Sequence, residues 1–215
     1  MPSSPDRPLT IEDFARLSGV SRETTDKLAA YADLLKHWQR RINLVSRASL
    51  DDLWRRHFLD AAQLTALIAG PPRRLADIGS GAGFPGLVLA ILGAAEVDLI
   101  ESDGRKCAFL SEAVRITGAP ARVVHARAEA VRLDAPAEVV TARGFGTVAA
   151  ILAASGPISS QATIYLLQRG KIDAERLTGL TKNITMQIER YPSISDPGGT
   201  ILRLTEDTGG PIDEP

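Results

Sequence analysis

The spacing of apolar positions changes near residue 70. Before it, Leu28, Tyr31, Leu35 and Trp38 recur every three to four residues, which marks one buried helical face. Ser21 stands where an N-cap belongs. Ser49-Leu50-Asp51-Asp52 reads as a capping box with Asp in place of Glu, opening a helix through about Ile68. Gly70-Pro71-Pro72 ends that helix and marks a boundary. Beyond it, short runs rich in Val, Ile and Leu alternate with helical stretches, the pattern of a parallel, doubly wound α/β sheet. Strands are predicted at 74–78, 97–101, 122–125, 139–142, 162–167, 185–191 and 200–204. Helices are predicted at 84–92, 105–117, 145–154 and 173–180. No helical pattern separates the last two strands. They read as a hairpin that sets one antiparallel strand into an otherwise parallel seven-stranded sheet. The expected organisation is a helical segment at 1–70, a core domain at 71–207, and a disordered Gly/Pro/acid-rich tail at 208–215.

Composition narrows the class without naming it. At 215 residues and 44% apolar content, one well-buried domain with a small appendage is expected. The single cysteine, Cys107, excludes a disulfide framework and fits a reducing compartment. Met1 to Pro8 is polar and proline-rich, unlike a signal peptide, so a cytoplasmic protein is expected. The uncharged stretch from Gly144 to Gln168 is interrupted by Ser155, Gly156, Pro157, Ser159 and Ser160, so it is not read as a membrane span. Net charge is only −1, yet Lys36 to Arg74 holds eight Lys/Arg against three acids. Such a patch suits phosphate binding, and it equally suits a solvated helical face.

The candidate chemistry gathers at Leu75 to Gly86, LADIGSGAGFPG. Asp77 ends a short strand. Gly79, Gly81 and Gly83 alternate after it, so the backbone can turn sharply and approach a ligand. Glu101 ends the next strand about twenty residues on, where an acid accepts hydrogen bonds from both hydroxyls of an adenosine ribose. Two cofactor classes share this geometry, and residues 81–86 satisfy the dinucleotide pattern G-x-G-x-x-G. Two features favour S-adenosylmethionine (SAM). Pro85 removes an amide that a diphosphate would use, and Asp77 repels a diphosphate while suiting a methionine ammonium. After the third strand, the backbone of Ala128 and Glu129 is placed to read an adenine edge. Arg143, after the fourth strand, lies beside the cofactor's reactive end, where it could bind a phosphate, a base edge or a carboxylate, or close a structural ion pair.

The absences matter too. No Asn/Asp-Pro-Pro-aromatic run, as used for amine methylation, follows the fourth strand, and Cys107 lies on the second helix of the core, away from that loop. An acceptor with a ready lone pair needs neither device, and guanine N7 is one; no catalytic base is then expected. His57 reads as a satisfied, partly buried histidine and Trp38 as part of the core stripe. Arg55 and Arg56 could touch phosphates, or be solvated helix charges. No metal site is expected.

Three stretches resemble the RsmG (GidB) family of rRNA methyltransferases. These are Ile42-Asn43-Leu44-Val45-Ser46 with Arg56-His57-Phe58-Leu59-Asp60; Leu75 to Gly86; and Arg127-Ala128-Glu129 with Thr141-Ala142-Arg143-Gly144-Phe145. The resemblance implies a class I SAM-dependent methyltransferase with a helical N-terminal appendage, acting on N7 of guanine 527 of 16S rRNA. It implies cofactor contacts at Gly79, Phe84, Ala128, Glu129 and Arg143. It implies 16S rRNA, or the 30S subunit or its precursor, as partner, and a cytoplasmic monomer with no membrane association is expected. The family usually has Lys-Gly after the fifth strand; here the run is Gln168-Arg169-Gly170-Lys171. Arg169 is a planar fork rather than a point charge, so it takes that place with different geometry. Competing readings are a nicotinamide oxidoreductase and a non-catalytic rRNA-binding assembly factor.

Overall fold

The computed structural model describes residues 7–68, 70, 74–93, 96–170 and 186–206. Seven strands form one sheet: β1 (Leu75–Ile78), β2 (Val97–Glu101), β3 (Ala121–His125), β4 (Val139–Arg143), β5 (Ile164–Arg169), β6 (Met186–Pro192) and β7 (Thr200–Glu206), in the spatial order β3-β2-β1-β4-β5-β7-β6. The first five are mutually parallel, and β7 runs antiparallel to both β5 and β6. This is the sheet of the class I methyltransferases. Every residue of β1 and β2 is buried, because helices cover both faces of the central strands.

One face carries α1 (Ile11–Ser18), α2 (Arg22–Trp38), the turns of residues 47–67, α5 (Gly86–Ile91) and α6 (Gly104–Thr117). Their meeting place is aromatic: Phe14, Tyr31, Trp54, Phe58, Phe84 and Phe109 stack or meet edge to face. Trp38 packs edge-on against Phe109 at 5.9 Å, as the core stripe requires. The opposite face carries α7 (Val148–Ser155) and the turn at Ala128–Ala130. Between α2 and α5 lie α3 (Arg47–Leu50) and α4 (Asp60–Ala62).

The continuous helix expected through Ile68 is broken. Ser46, not Ser49, is the N-cap of α3, its hydroxyl accepting from the Ser49 amide at 3.2 Å. The Ser49 hydroxyl instead donates to the Ser46 carbonyl, while the Asp52 carboxylate accepts from the distant Leu9 amide at 2.7 Å. Trp54–Leu59 then forms a π-helical turn, in which the Asp60 amide reaches back five residues to the Arg55 carbonyl. Gln63–Leu67 tightens to a 3₁₀ turn. Helix α5 starts at Gly86, two residues later than expected, because Phe84 and Pro85 belong to the preceding loop. Helix α7 starts at Val148, where the Thr147 hydroxyl caps it. The helix expected at 173–180, the residue Lys171 and the tail at 208–215 lie outside the described residues.

Candidate active site

Parallel strands end together, so the loops after β1 to β5 share one edge of the sheet. The loop after β1 is a glycine turn, with Gly79, Gly81 and Gly83 at φ of 65°, 57° and 89°, all left-handed. Space as well as φ demands two of its glycines. A Cβ on Gly79 would lie 2.6 Å from the Phe145 ring, and one on Gly83 would lie 2.8 Å from the Tyr31 hydroxyl.

Glu101 fixes this loop to β2. One carboxylate oxygen accepts from the Gly81 amide at 2.9 Å, and the other from the Ser102 and Asp103 amides at 2.8 Å each. The carboxylate is thus held at the rim of the glycine turn, 7% exposed, with lone pairs to spare. His125 pairs in register with Glu101, and the Ala126 amide donates to the Glu101 carbonyl at 3.0 Å. This seats Ala128, buried, and Glu129, exposed, next to the ends of β2 and β3. Cys107 is spent structurally, its thiol donating to the Glu101 carbonyl at 3.3 Å.

Asp77 lies beneath the loop and is 1% exposed. One oxygen accepts from the Thr141 hydroxyl at 2.7 Å; the other faces the start of α5, where a Cβ on Gly86 would come within 2.8 Å of it. Burial pushes this carboxyl up to about 6, against the Thr141 and Ser80 hydroxyls and the Gly86 amide.

The loop's own hydrogen bonds discriminate between cofactors. The amides of Ser80, Gly81, Gly83 and Leu87 already donate to Ile100 O, the Glu101 carboxylate, Ser80 O and Gly83 O. Pro85 has no amide to give. A diphosphate would therefore find a loop with these four donors engaged and a buried acid behind it. SAM asks only for close backbone approach and a ribose acceptor, and these residues fit it.

A cleft of about 390 Å³ opens beside this edge, lined by residues of the 44–49 turn, the π-turn, the ends of β4 and β5, and the β6–β7 turn. Arg143 forms its inner wall. Its guanidinium donates to the Arg56 carbonyl at 3.2 Å, to Asp60 at 3.4 Å and to Nδ1 of His57, and lies 5.2 Å over the Phe84 ring. Arginine can only donate, so His57 Nδ1 accepts, and Nε2–H donates to the Ser49 hydroxyl at 2.8 Å. Burial, then the Arg143 and Arg56 charges, hold His57 down at about 3. It is a neutral strut with both nitrogens engaged. Phe84, 3% exposed, packs between Tyr31, Phe58 and His57 as the floor under Arg143.

Asp60 is the residue on which the cleft converges, and it was absent from the sequence-derived candidates. Its Oδ1 accepts from Gln63 at 2.8 Å and from the hydroxyls of Ser193 and Ser195; its Oδ2 accepts from Gln168 at 2.8 Å and from Arg143. Phe145, against Gly79, was missed as well. Its only signal in the sequence was its place after Arg143-Gly144. The other candidate cations divide. Arg56 lines the cleft, paired with Asp196 at 2.8 Å. Arg169 also lines it, donating to the Gly146 carbonyl at 2.7 Å, while its Nε and Nη2 are buried without a partner among the described residues. Arg55 turns away, held by Asp52 at 2.7 Å and by the Arg7 carbonyl. Among the described residues there is no cluster of metal-ligating side chains, and no helix is long and apolar enough to cross a membrane.

The profile of the rRNA small subunit methyltransferase G (GidB) family matches residues 24–198. The chain belongs to this family. The ribosomal RNA small subunit methyltransferase G of Rhodospirillum centenum is 52% identical over 194 residues, covering 90% of this chain and 89% of that one. Its counterpart in Rhodospirillum rubrum is 51% identical over 198 residues, covering 92% and 98%. Among solved structures, a SAM-dependent methyltransferase from Aquifex aeolicus superposes with a TM-score of 0.57 at 12% identity, covering 73% of this chain and 95% of that one. That likeness extends to the fold alone. Family membership makes the chain a SAM-dependent methyltransferase.

Proposed function

We propose that the protein transfers the methyl group of SAM to N7 of a guanine in 16S rRNA, at the position the family modifies, guanine 527, within the small subunit or its precursor. It acts as a cytoplasmic monomer. The observation that carries the choice of acceptor is the lack of a free base in the cleft among the described residues. His57 is neutral with both nitrogens engaged, Asp60 has both oxygens occupied, and Asp196 is paired with Arg56. An exocyclic amine or a pyrimidine carbon needs a proton removed or a nucleophile supplied. Guanine N7 needs neither.

When bound, SAM supplies a methyl on a sulfonium, which the N7 lone pair attacks in line as the carbon–sulfur bond breaks; no proton moves. The protein's part is alignment, which contributes roughly 7–11 kcal/mol in well-oriented reactions. Gly79, Gly81 and Gly83 let the backbone approach the cofactor. Glu101 receives the ribose hydroxyls, Ala128 and Glu129 flank the adenine, and Asp77 holds the loop from beneath. Arg143, on its Phe84 floor, fixes the end of the cofactor nearest the cleft, and Arg56 and Arg169 face the RNA.

The test is labelled SAM with 30S subunits or 16S rRNA from a strain lacking this gene. Label in a guanine N7 is expected. Label elsewhere overturns the acceptor, and RNA binding without transfer supports an assembly factor instead.

A further inference from the structure

A second concavity, of about 510 Å³, lies on the far side of the 44–47 turn from the cleft. Its walls are the end of α2 with residues 39–43, Arg47, and the start of α6. Arg40, Arg41, Arg47, Arg105 and Lys106 surround it, against one acid, Asp103. That acid is committed: its carboxylate caps α6, accepting from the Arg105 amide at 2.8 Å. Arg40, Arg41 and Arg47 are exposed, and among the described residues none of them, nor Lys106, has an acidic partner.

A run of surface charge is ordinarily a solvated face. This one is built. Gln39 closes the loop that carries it: its amide nitrogen donates to the Val45 carbonyl at 2.9 Å, and its amide oxygen accepts from the Leu44 and Val45 amides at 3.0 Å each. Ile42, Leu44 and Val45 anchor the same loop in the core. The cations are thereby displayed outward on a fixed strap. Leu44, Val45 and Ser46 also wall the reaction cleft, so one turn separates the two concavities.

We propose that this groove holds the phosphate backbone of the RNA strand flanking the target guanine, with the 44–47 turn as the ridge the strand crosses to enter the cleft. The proposal rests on the rRNA reading above. Arg105 pairs with Asp103 at 3.6 Å, which leaves four cations without an acidic partner among the described residues to match a polyanion, and a fixed strap binds it with less ordering cost than a mobile loop would. Sequence is not read here, since backbone contacts position the strand without specifying bases.

The experiment is the salt dependence of 16S rRNA binding by wild type and by the triple variant Arg40→Gln, Arg41→Gln, Arg47→Gln. SAM affinity by calorimetry serves as the check on folding. The slope of log affinity against log salt is expected to shrink by about 2, since each single-strand phosphate no longer neutralised removes about 0.7. KM for RNA is expected to rise while SAM affinity stays at the wild-type value. An unchanged slope and KM at wild-type SAM affinity overturns the groove while leaving the proposed activity intact. Failure of wild type itself to methylate RNA overturns the activity, whereas the binding slopes still judge the groove. Should the triple variant not bind SAM, the single variants Arg41→Gln and Lys106→Gln decide, each expected to lower the slope by about 0.7. Binding to anionic vesicles that the triple variant loses, with the RNA slope unmoved, also overturns it.

Discussion

The hydroxyl of Tyr31 donates to the carbonyl of Ala82, so a side chain from α2 fastens the glycine loop 51 residues away in sequence. Tyr31 is fully buried, stacks on Phe84 at 5.3 Å, and sits where a Cβ on Gly83 would have to go. The N-terminal helices are thus a structural part of the cofactor loop. Tyr31→Phe keeps the ring and leaves the Ala82 carbonyl buried without its donor, which costs about 1–3 kcal/mol. Expected are a lower melting temperature and weaker SAM affinity together, read by thermal unfolding with and without SAM. A variant with wild-type values of both would detach the helices from the loop.

Two glycines nearby separate strain from crowding. Gly81 has φ of 57° and open space: the nearest atom to a Cβ added there is the Gly79 carbonyl oxygen, at 3.7 Å. Gly81→Ala should cost only the left-handed penalty, about 1–2 kcal/mol. Gly86 is the reverse case: its φ lies outside the left-handed region, but a Cβ would meet the Asp77 Cβ at 2.5 Å. Relief requires α5 to lift from β1, so Gly86→Ala should cost about 3 kcal/mol or more, at the upper end for overpacking. Urea unfolding of the two variants checks the order. Gly81→Ala proving the more damaging would reverse the assignment of space and strain.

The contrast also shows what could be read from residue order. The sheet was legible because buried parallel strands and covering helices write different periods, and the glycine loop because alternating glycines after Asp77 have few other uses. Glu101 followed from its position at the next strand's end. Asp60 was not legible as the cleft's organiser: its partners Arg143, Gln168 and Ser195 lie 83, 108 and 135 residues away. Nor was the π-turn that aims Asp60 and His57 inward, since a single widened turn leaves the apolar spacing nearly unchanged. The Ser49 cap failed for a local reason. Ser46 and Ser49 both suit a cap, and the choice depends on His57, which takes the Ser49 hydroxyl.

Stability against pH should carry two opposed signatures. His57 falls from 6.5 to about 3 through burial and the Arg143 and Arg56 charges. Between those values the unfolded chain holds more protons at this residue, so its contribution falls as pH falls. Asp77 rises from 3.8 to about 6 through burial. Here the folded chain holds more protons in that interval, so stability lost above it returns as pH drops through about 6. The two effects oppose each other in wild type over the shared interval. His57→Gln, whose amide oxygen can still accept from Arg143, should gain on wild type progressively as pH falls from 6.5 toward about 3 and little above neutrality. Asp77→Asn should gain most above pH 6 and lose that advantage toward pH 3.8. Melting temperatures of the three proteins across this range check both signs, and parallel curves would refute both shifts.

The pair Asp60 and Arg143 should prove strongly coupled. Both are largely buried, with side chains 15% and 23% exposed, and Arg143 is pulled below its ordinary value by burial while Asp60 opposes the pull. Asp60→Asn replaces one acceptor oxygen with a donor in a ring of donors: Gln63, Ser193 and Ser195 on one side, Gln168 and Arg143 on the other. Whichever way the amide turns, two donors face each other and the Arg143 charge is left unbalanced. Removing one member of such a pair costs about 3–5 kcal/mol. Arg143→Gln removes the charge that Asp60 balances, so the double variant should lose less than the sum of the singles by at least about 1 kcal/mol. Denaturant unfolding of the four proteins gives the coupling directly. Strict additivity would mean that Asp60 acts through Gln168, Ser193 and Ser195 alone, and that Arg143 is held by His57, Phe84 and the Arg56 carbonyl without it.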